Sequence, residues 1–281
     1  MSERAGSSPG HVPEAAPTDF YETRYAPERQ RLQDMIFREV YDDYFGQSSW
    51  ITTASYDRFY RWLEVTAEAR VLDVACGNGA PALRLAGALF GCTVVGIDSN
   101  AHAITRASAV AHERGLSERV RFEIHDAGQP LPFHDRAFDA VTCMDALGHL
   151  PDRPSVFAAW ARVLKPGGRL LFTDQVVTGL VSKDEMTRRA PRIYAQFFQS
   201  SYNEQLLEQS GFELLRRDDL TADLAELARR HCAARTAHAD ALRASEGGTV
   251  FEEQNGYRAI AEQLARERRL SHLAFLARRR N

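Results

Sequence analysis

The segment VLDVACGNGAPALRLA, residues 71–86, combines an apolar strand, a glycine turn and the start of a helix. Gly77 and Gly79 let the backbone approach a ligand closely, and the helix that follows presents unpaired N–H groups. The pattern G-x-G-x-x-A, which ends at Ala82, satisfies the dinucleotide fingerprint. Asp98 ends the next apolar run, where an acid that binds a ribose belongs. These residue types at this spacing indicate a site for an adenosine-bearing cofactor, either a nicotinamide dinucleotide or S-adenosylmethionine.

The elements that must position this turn follow from the alternation of short apolar runs with helical stretches after residue 70. The predicted strands are RVLDVA, TVVGID, VRFEIHDA, FDAVTCMDAL, GRLLFTDQVV, FELLRRDDL and LSHLAFLARR. The predicted helices between the first five strands are APALRLAGALF, NAHAITRASAVAHERG and PSVFAAWARVL. This order predicts an α/β fold, a doubly wound and mostly parallel sheet with right-handed crossovers. In such a sheet the ligand lies outside the carboxyl ends of the strands.

Three further features favour S-adenosylmethionine over a nicotinamide dinucleotide. Asp73 lies inside the first strand, where it can orient the turn and receive a cationic amino-acid group. Asp126 ends the third strand and is placed to accept a hydrogen bond from an adenine amino group. The stretch RVLKPGGRLLFTD is a helix stopped by Pro166, followed by a Gly167-Gly168 turn and a strand.

In this order, these segments resemble the class I S-adenosylmethionine-dependent methyltransferases over roughly residues 70 to 175. The resemblance implies that Asp73, Gly77 and Gly79 hold the methionine end of S-adenosylmethionine, that Asp98 binds the ribose hydroxyls, and that Asp126 with Ala127 binds the adenine. It also implies a lid segment that folds over the cofactor. The remaining members of the predicted cofactor set are Trp50, Ile51, Thr52, Ala75, Ser99 and Met144.

The segments FGQSSWITT, MDALGHL and FTD, with a helical stretch before the last strand, narrow the resemblance to the phosphoethanolamine, sarcosine/dimethylglycine and natural-product small-molecule methyltransferases. In the phosphobase enzymes the counterpart of MDALGHL supplies an acid and a histidine at the substrate, which fall on Asp145 and His149. Those enzymes pair the histidine with an N-terminal tyrosine, for which Tyr25, Tyr41 and Tyr44 are the alternatives in this sequence.

Methyl transfer is an in-line displacement, so positioning and the exclusion of water can supply most of the acceleration. The acceptor must lose a proton, and we predict His149 as the base, with Asp145 holding a cationic amine or orienting the imidazole. The predicted reaction methylates a small molecule, with an amine nitrogen as first candidate and a hydroxyl oxygen as second. The alternatives are a natural-product O- or C-methyltransferase, and a cyclase-like or regulatory protein that binds the cofactor without transferring its methyl group.

Two clusters could line the acceptor pocket. The aromatic cluster is Tyr194, Phe197, Phe198 and Tyr202, which could equally be the packing face of a helix. The basic cluster, a candidate phosphate subsite, is Arg188, Arg189 and Arg192.

The domain organisation is predicted from composition and helical pattern. Residues 1–19 are poor in large apolar side chains and form a disordered tail. Residues 20–64 form an N-terminal helical lid, and residues 65–281 form the methyltransferase domain. Within it, a helical insertion at about residues 220–268, broken at Gly247-Gly248, caps the sheet edge before the last strand.

The composition argues against several other kinds of partner and site. The 281 residues are 44% hydrophobic, enough for one substantial core, and a net charge of -3 argues against nucleic acid as a partner. Four cysteines without a C-x-x-C pair predict reduced thiols and no metal site. The lack of a long apolar segment or signal peptide predicts a cytoplasmic protein that does not bind a membrane. The N-terminal helices and the late insertion offer surfaces for a homodimer.

Overall fold

The computed structural model of the chain describes residues 27–87, 92–190 and 195–281. The predicted tail at residues 1–19 lies outside the described residues, and so do Tyr25, Arg192 and Tyr194. None of the helices in the described stretches has both the length and the apolarity needed to cross a membrane.

Eight strands in the described residues form one sheet. They are β1 (Arg70–Val74), β2 (Thr93–Asp98), β3 (Val120–Ile124), β4 (Phe138–Cys143), β5 (Leu164–Val177), β6 (Phe198–Gln199), β7 (Phe212–Asp219) and β8 (Leu270–Arg279). The strand order is β3-β2-β1-β4-β5-β8-β7, and β6 pairs with β5. The strand β8 is antiparallel to β5 and β7, whereas the other pairs are parallel. The predicted doubly wound, mostly parallel sheet is therefore confirmed, and the strand order reverses between β1 and β4.

Ten α-helices surround the sheet in the described residues. They are α1 (Pro27–Val40), α2 (Thr53–Trp62), α3 (Ala80–Ala86), α4 (Ala101–Glu113), α5 (Arg153–Val163), α6 (Lys183–Arg189), α7 (Ser200–Gln209), α8 (Thr221–Ala237), α9 (Ala239–Glu246) and α10 (Gly248–Arg266). A 3₁₀ turn, Leu147–His149, lies between β4 and α5. The side chains of Asn100 and Asp152 cap the N-termini of α4, which begins directly beyond β2, and of α5, which follows the 3₁₀ turn.

The central strands are buried on both faces because helices cover each side of the sheet. In β1, Leu72 belongs to a core cluster with Trp160 and Phe172, whereas its neighbour Val71 belongs to a second cluster with Tyr60. Successive side chains of a strand point to opposite faces, so an almost continuous apolar run is needed here. Asp73 interrupts that run with a carboxylate at the carboxyl end of β1.

The helical insertion before β8 consists of α8, α9 and α10. The predicted break at Gly247 is present, with a φ of 84°, and a second break occurs at His238, which caps α9. Side chains of α8 and α10 share an apolar cluster with α1 and with Trp50. His231 and Tyr257, from α8 and α10, reach the cavity described below. The insertion thus covers the carboxyl ends of the strands rather than a lateral edge strand.

Candidate active site

A cavity of about 610 Å³ opens at the carboxyl ends of β1, β2, β4 and β5. Most of the predicted site residues line it: Trp50, Asp73, Ala75, Gly77, Asp98, Ser99, Asp126, Ala127, Met144, Asp145 and His149. Ile51, Thr52 and Gly79 do not lie in its wall. A cavity of this size suits a cofactor or another small molecule.

The two glycines of the first turn have different roles. Gly77 has a φ of 55° and its N–H donates to Asp98 Oδ2 at 2.8 Å, so its backbone forms part of the cavity wall. Gly79 is buried, and a Cβ there would lie 2.5 Å from Phe122 Cζ and 2.7 Å from Ala107 Cβ. The structure therefore gives Gly79 a packing role between helix and strand, in place of the predicted contact with the methionine end.

The three residues predicted for the lid segment, Trp50, Ile51 and Thr52, also have different surroundings. Trp50 lines the cavity, and its ring lies 5.7 Å from the His231 ring and 5.9 Å from the Tyr257 ring. Ile51 is fully buried in the core, and Thr52 caps α2 by accepting a hydrogen bond from Ser55 N at 3.2 Å. Of this segment, Trp50 lies in the cavity wall, and the other two hold the segment in place.

Asp73 is a buried carboxylate with one oxygen unused. Its Oδ1 accepts a hydrogen bond from Thr142 Oγ1 at 2.7 Å, whereas its Oδ2 is buried without a partner. Burial raises the pKa of Asp73 to about 7, although the hydrogen bond from Thr142 opposes this shift. A buried acceptor that faces a cavity without a donor is suited to a ligand that carries a cation, such as the ammonium group of an amino acid.

Asp98 and Asp126 lie at the ends of β2 and β3. Burial raises the pKa of Asp98, and the backbone N–H groups of Asn100 and Gly77 and the charge of His149 oppose that rise. Asp126 is exposed, and its Oδ1 accepts a hydrogen bond from Gly128 N at 2.8 Å. Their order along the sheet matches the predicted ribose and adenine contacts.

Asp145 pairs with His272, a partner that the sequence did not predict. Its Oδ1 lies 2.6 Å from His272 Nε2 and accepts from Thr173 Oγ1 at 2.7 Å, and its Oδ2 accepts from Trp50 N at 2.6 Å. Burial raises the pKa of Asp145, but His272 and these donors outweigh it and hold the pKa below its usual value. The imidazole that lies on the Asp145 carboxylate belongs to His272.

His272 was not predicted, since it is a lone histidine in the apolar run LSHLAFLARR. Its side chain is fully buried in β8, and its Nδ1 has no hydrogen-bond partner in the described residues. His149 lies in the 3₁₀ turn and faces the cavity. His102, His125 and His231 line the cavity beside His149, and His272 positions Asp145.

The acceptor end, which we define as Tyr41, Arg189, His231, Gln254 and Tyr257, was largely missed from the sequence. Tyr41 directly follows α1, the others come from α6, α8 and α10, and all five line the cavity. They include one of the alternative tyrosines and one arginine of the predicted basic cluster. The exposed Arg188 pairs with Asp184 instead.

The residues of the predicted aromatic cluster do not all reach the cavity. Phe197 lines the cavity. Phe198 and Tyr202 stack on each other at 4.4 Å, and the Arg153 guanidinium lies over the Phe198 ring, so these two residues pack beneath the site. Tyr44, another alternative partner for His149, donates to Asp34 Oδ1 at 2.9 Å and lies outside the cavity wall.

The sheet order and the cavity define an α/β protein that binds an adenosine-bearing cofactor at the carboxyl ends of its strands. Residues 71–168 match the methyltransferase domain family. The chain is 40% identical over 134 residues to 27-O-demethylrifamycin SV methyltransferase of Amycolatopsis mediterranei, which covers 48% of each protein. It is 34% identical over 165 residues to ubiquinone biosynthesis O-methyltransferase of Thiobacillus denitrificans, covering 54% of this chain and 69% of that protein. The solved structure of the 4+2 cyclase SpnF has a TM-score of 0.71 and 26% identity, covering 95% of this chain and 98% of that one.

The chain belongs to the S-adenosylmethionine-dependent methyltransferases. The aligned part of the chain spans about half the length or less of several curated relatives, from 42% to 48%. Family membership confirms S-adenosylmethionine as the cofactor predicted from the sequence. The cavity fits it, because the unpartnered Oδ2 of Asp73 can accept from a cationic amino group and the acids of β2 and β3 face the same space.

Cofactor binding is expected to weaken as the pH falls below about 7. The pKa of Asp73 is raised to about 7 without a ligand, and an ammonium group beside it must lower that pKa. Binding therefore requires the carboxylate form, and the Kd for S-adenosylhomocysteine should rise by up to about tenfold per pH unit below 7. Calorimetry between pH 5.5 and 8 in two buffers with different heats of ionisation measures both the affinity and the proton released.

An affinity that stays constant between pH 6 and 8, with no proton released, would contradict the assignment of Asp73 to the cationic end of the cofactor.

Proposed function

We propose that the protein transfers a methyl group from S-adenosylmethionine to a hydroxyl oxygen of a small-molecule acceptor. The observation that carries the proposal is one cavity that is lined both by the cofactor residues of β1 and β2 and by the acceptor end. Two relatives, one named for 27-O-demethylrifamycin SV and one for an O-methyltransferase step of ubiquinone biosynthesis, support an oxygen acceptor.

The charges in the cavity favour the hydroxyl over the amine that was the first candidate from the sequence. A cationic amine needs a carboxylate that is free to hold it. Asp145, predicted for that role, already accepts hydrogen bonds from Trp50, Thr173 and His272. The acceptor end carries basic and aromatic side chains instead, which suit an acceptor that loses a proton to become an anion.

When bound, S-adenosylmethionine supplies an electrophilic methyl group. The residues of the chain orient the acceptor and exclude water, because Trp50 and the helical insertion cover the carboxyl ends of the strands. His149, as the neutral imidazole, accepts the hydroxyl proton. His272 keeps Asp145 ionised, and Asp145 in turn holds the backbone N–H of Trp50 at the cavity wall.

His149→Gln is expected to lower turnover by about 100-fold or more, with cofactor affinity changed less than about threefold, because it removes the base without touching the cofactor contacts. Asp98→Ala should show the opposite pattern and mainly weaken cofactor binding. Formation of S-adenosylhomocysteine, with the best acceptor from a panel of phenols, alcohols and amines, measures turnover, and calorimetry measures affinity. Equal losses of affinity in the two variants would show that the roles are wrongly assigned.

The same panel tests the acceptor atom. Mass spectrometry and NMR of the product should place the new methyl group on oxygen. Methylation of amines alone would overturn the oxygen assignment and restore the amine.

A second candidate is a cyclase-like protein that binds the cofactor without transferring its methyl group. The match to SpnF along nearly the full length of both chains favours it. S-adenosylhomocysteine formed in step with acceptor consumption excludes this candidate, whereas tight cofactor binding without any S-adenosylhomocysteine would favour it.

We further propose that the protein acts in the cytoplasm as a homodimer, with a helical lid at residues 20–64 and a cap at about residues 220–268, and without nucleic acid as a partner. The basis is the charge balance and the surfaces that the lid and cap offer. Light scattering of the purified protein tests the dimer, and a monomeric mass at micromolar concentration would remove it.

A further inference from the structure

Arg189, the last residue of α6, is a buried cation at the acceptor end. It is 3% exposed and lines the cavity. Its guanidinium carbon lies 4.5 Å from the Tyr257 ring centroid, 5.5 Å from that of Phe197 and 5.9 Å from that of Trp50. One guanidinium nitrogen donates to Gln175 Oε1, and Nε is buried without a partner. No carboxylate pairs with Arg189 in the part of the chain that the structure describes.

The other buried arginines of the described residues are paired. Arg153 is 1% exposed and binds Asp174 through two nitrogens, and Arg235 is 5% exposed and pairs with Glu246. An arginine keeps its charge at any physiological pH, and a buried charge needs a counter-charge. Contacts with aromatic faces offset only part of the lost hydration. Arg189 is thus the buried cation whose counter-charge the described residues do not supply.

Two acids of the cavity wall are already paired. Asp174 is held by Arg153 and by Asn203 Nδ2 at 2.8 Å, and Asp145 is held by His272. Because the described residues offer Arg189 no carboxylate, its site is suited to an anionic ligand.

Tyr257 strengthens this argument. Burial raises the pKa of Tyr257, but Arg189 and Arg258 outweigh burial and hold the pKa below its ordinary value. The phenol also accepts a hydrogen bond from Arg189. Both facts show an excess of positive charge at this end of the cavity.

We propose that Arg189 binds a carboxylate of the acceptor, so that the substrate of the proposed methyl transfer is a small hydroxy acid. A guanidinium presents a planar fork that matches a carboxylate, and the unpartnered Nε leaves one edge of that fork available. One unpaired guanidinium balances a single negative charge, which is the charge of one carboxylate. The assignment of the substrate class rests on the proposed function, but the anion site itself can be tested without turnover.

The test uses the full chain saturated with S-adenosylhomocysteine in a chloride-free buffer. Acetate, benzoate and 4-hydroxybenzoate are titrated beside acetamide, benzamide and 4-hydroxybenzamide, and binding is followed by calorimetry and by tryptophan fluorescence. At least one acid should bind saturably and at least tenfold more tightly than its amide. Arg189→Gln should weaken binding of that acid by about 10- to 100-fold and leave the affinity for the amide and for S-adenosylhomocysteine unchanged.

Arg188→Gln is the matched control, because Arg188 is the exposed neighbour in the same helix and pairs with Asp184. It should bind every probe as the wild type does. Arg189→Lys keeps the charge but not the fork, so it should weaken acid binding and serves as the test if Arg189→Gln fails to fold.

Three results would overturn the proposal: no acid that binds saturably to the wild type, acids that bind no better than their amides, or acid binding that survives in both Arg189 variants. Inorganic phosphate that binds through Arg189 more tightly than every acid would replace the carboxylate with a phosphate. Failure of methyl transfer alone would count against the proposed function and would leave the binding results standing.

Discussion

Asp73→Asn is expected to bind S-adenosylhomocysteine at least about 100-fold more weakly than the wild type, while the cofactor-free protein becomes harder to unfold. The Asp73 carboxylate is buried, and one of its oxygens has no hydrogen-bond partner. A charge in that position opposes folding, and a cationic group of the bound cofactor would offset that cost. Asparagine keeps the acceptor for Thr142 Oγ1 and removes the charge.

The size and the pH dependence of this stabilisation follow from the pKa of Asp73. The folded-state value of about 7 exceeds the ordinary value of 3.8, so the wild type loses stability as the pH rises from about 4 to above 7. We expect the measured loss of stability to be about half of the free energy that this difference in pKa implies, which is roughly 2 kcal/mol. The free energy of unfolding of Asp73→Asn should therefore exceed that of the wild type by about 2 kcal/mol at pH 8 and by less at pH 5.

Urea unfolding at both pH values, together with calorimetry, measures the two effects. Asp126→Asn is the control, because Asp126 lines the same cavity but is exposed, so its replacement should weaken binding without raising stability. A less stable Asp73→Asn protein would show that the carboxylate serves the fold, and an unchanged affinity would show that the cofactor does not contact it.

The cofactor half of the site could be predicted from the sequence because its residues are local. Asp73 and Gly77 are separated by one turn, and Asp98 and Asp126 end consecutive strands whose carboxyl ends must meet at one edge of the sheet. Any sequence that forms these strands in this order brings the acids together. Gly79 fits the same local pattern, but its glycine is required by the nearby Phe122 side chain, a contact that spacing does not reveal.

The acceptor end could not be predicted in the same way because its residues converge only after folding. Arg189 ends α6, whereas His231 and Tyr257 lie within α8 and α10, and each has the surroundings of an ordinary amphipathic segment in the sequence. The pairing of Asp145 with His272 joins residues 127 positions apart through the antiparallel strand β8. The sequence pattern offered His149 as a partner because it reveals only residues that are close along the chain.

Arg153→Met is expected to lower the free energy of unfolding by about 3–5 kcal/mol, because it leaves the buried Asp174 without its cation. Burial already raises the pKa of Asp174 even with Arg153 beside it, so the charged carboxylate is costly in this position and depends on its remaining partners. Arg153 also donates to Gln196 O at 3.0 Å, and Gln196 N donates to Gly148 O at 2.8 Å. The ion pair therefore supports the turn that carries His149.

The double variant Arg153→Met/Asp174→Asn should recover at least half of that loss, since neither buried charge remains and Asn203 can still pair with an amide. Arg229→Met, at an exposed ion pair with Glu226, is the control and should cost less than about 1 kcal/mol. Urea unfolding of these variants and of Asp174→Asn alone completes the double-mutant cycle and gives the coupling energy. A double variant as unstable as Arg153→Met would show that packing, not charge, explains the loss.

The same measurement separates two kinds of buried arginine. Arg153 has a carboxylate in the fold, so its removal exposes the cost of an unpaired acid, and the protein is destabilised. Arg189 has none in the described residues, so its replacement by glutamine removes an uncompensated cation and should leave the cofactor-free protein at least as stable as the wild type. Stability losses of equal size at both positions would mean that Arg189 also has a structural role, and the opposite signs expected here would mark Arg153 as part of the scaffold and Arg189 as part of the binding site.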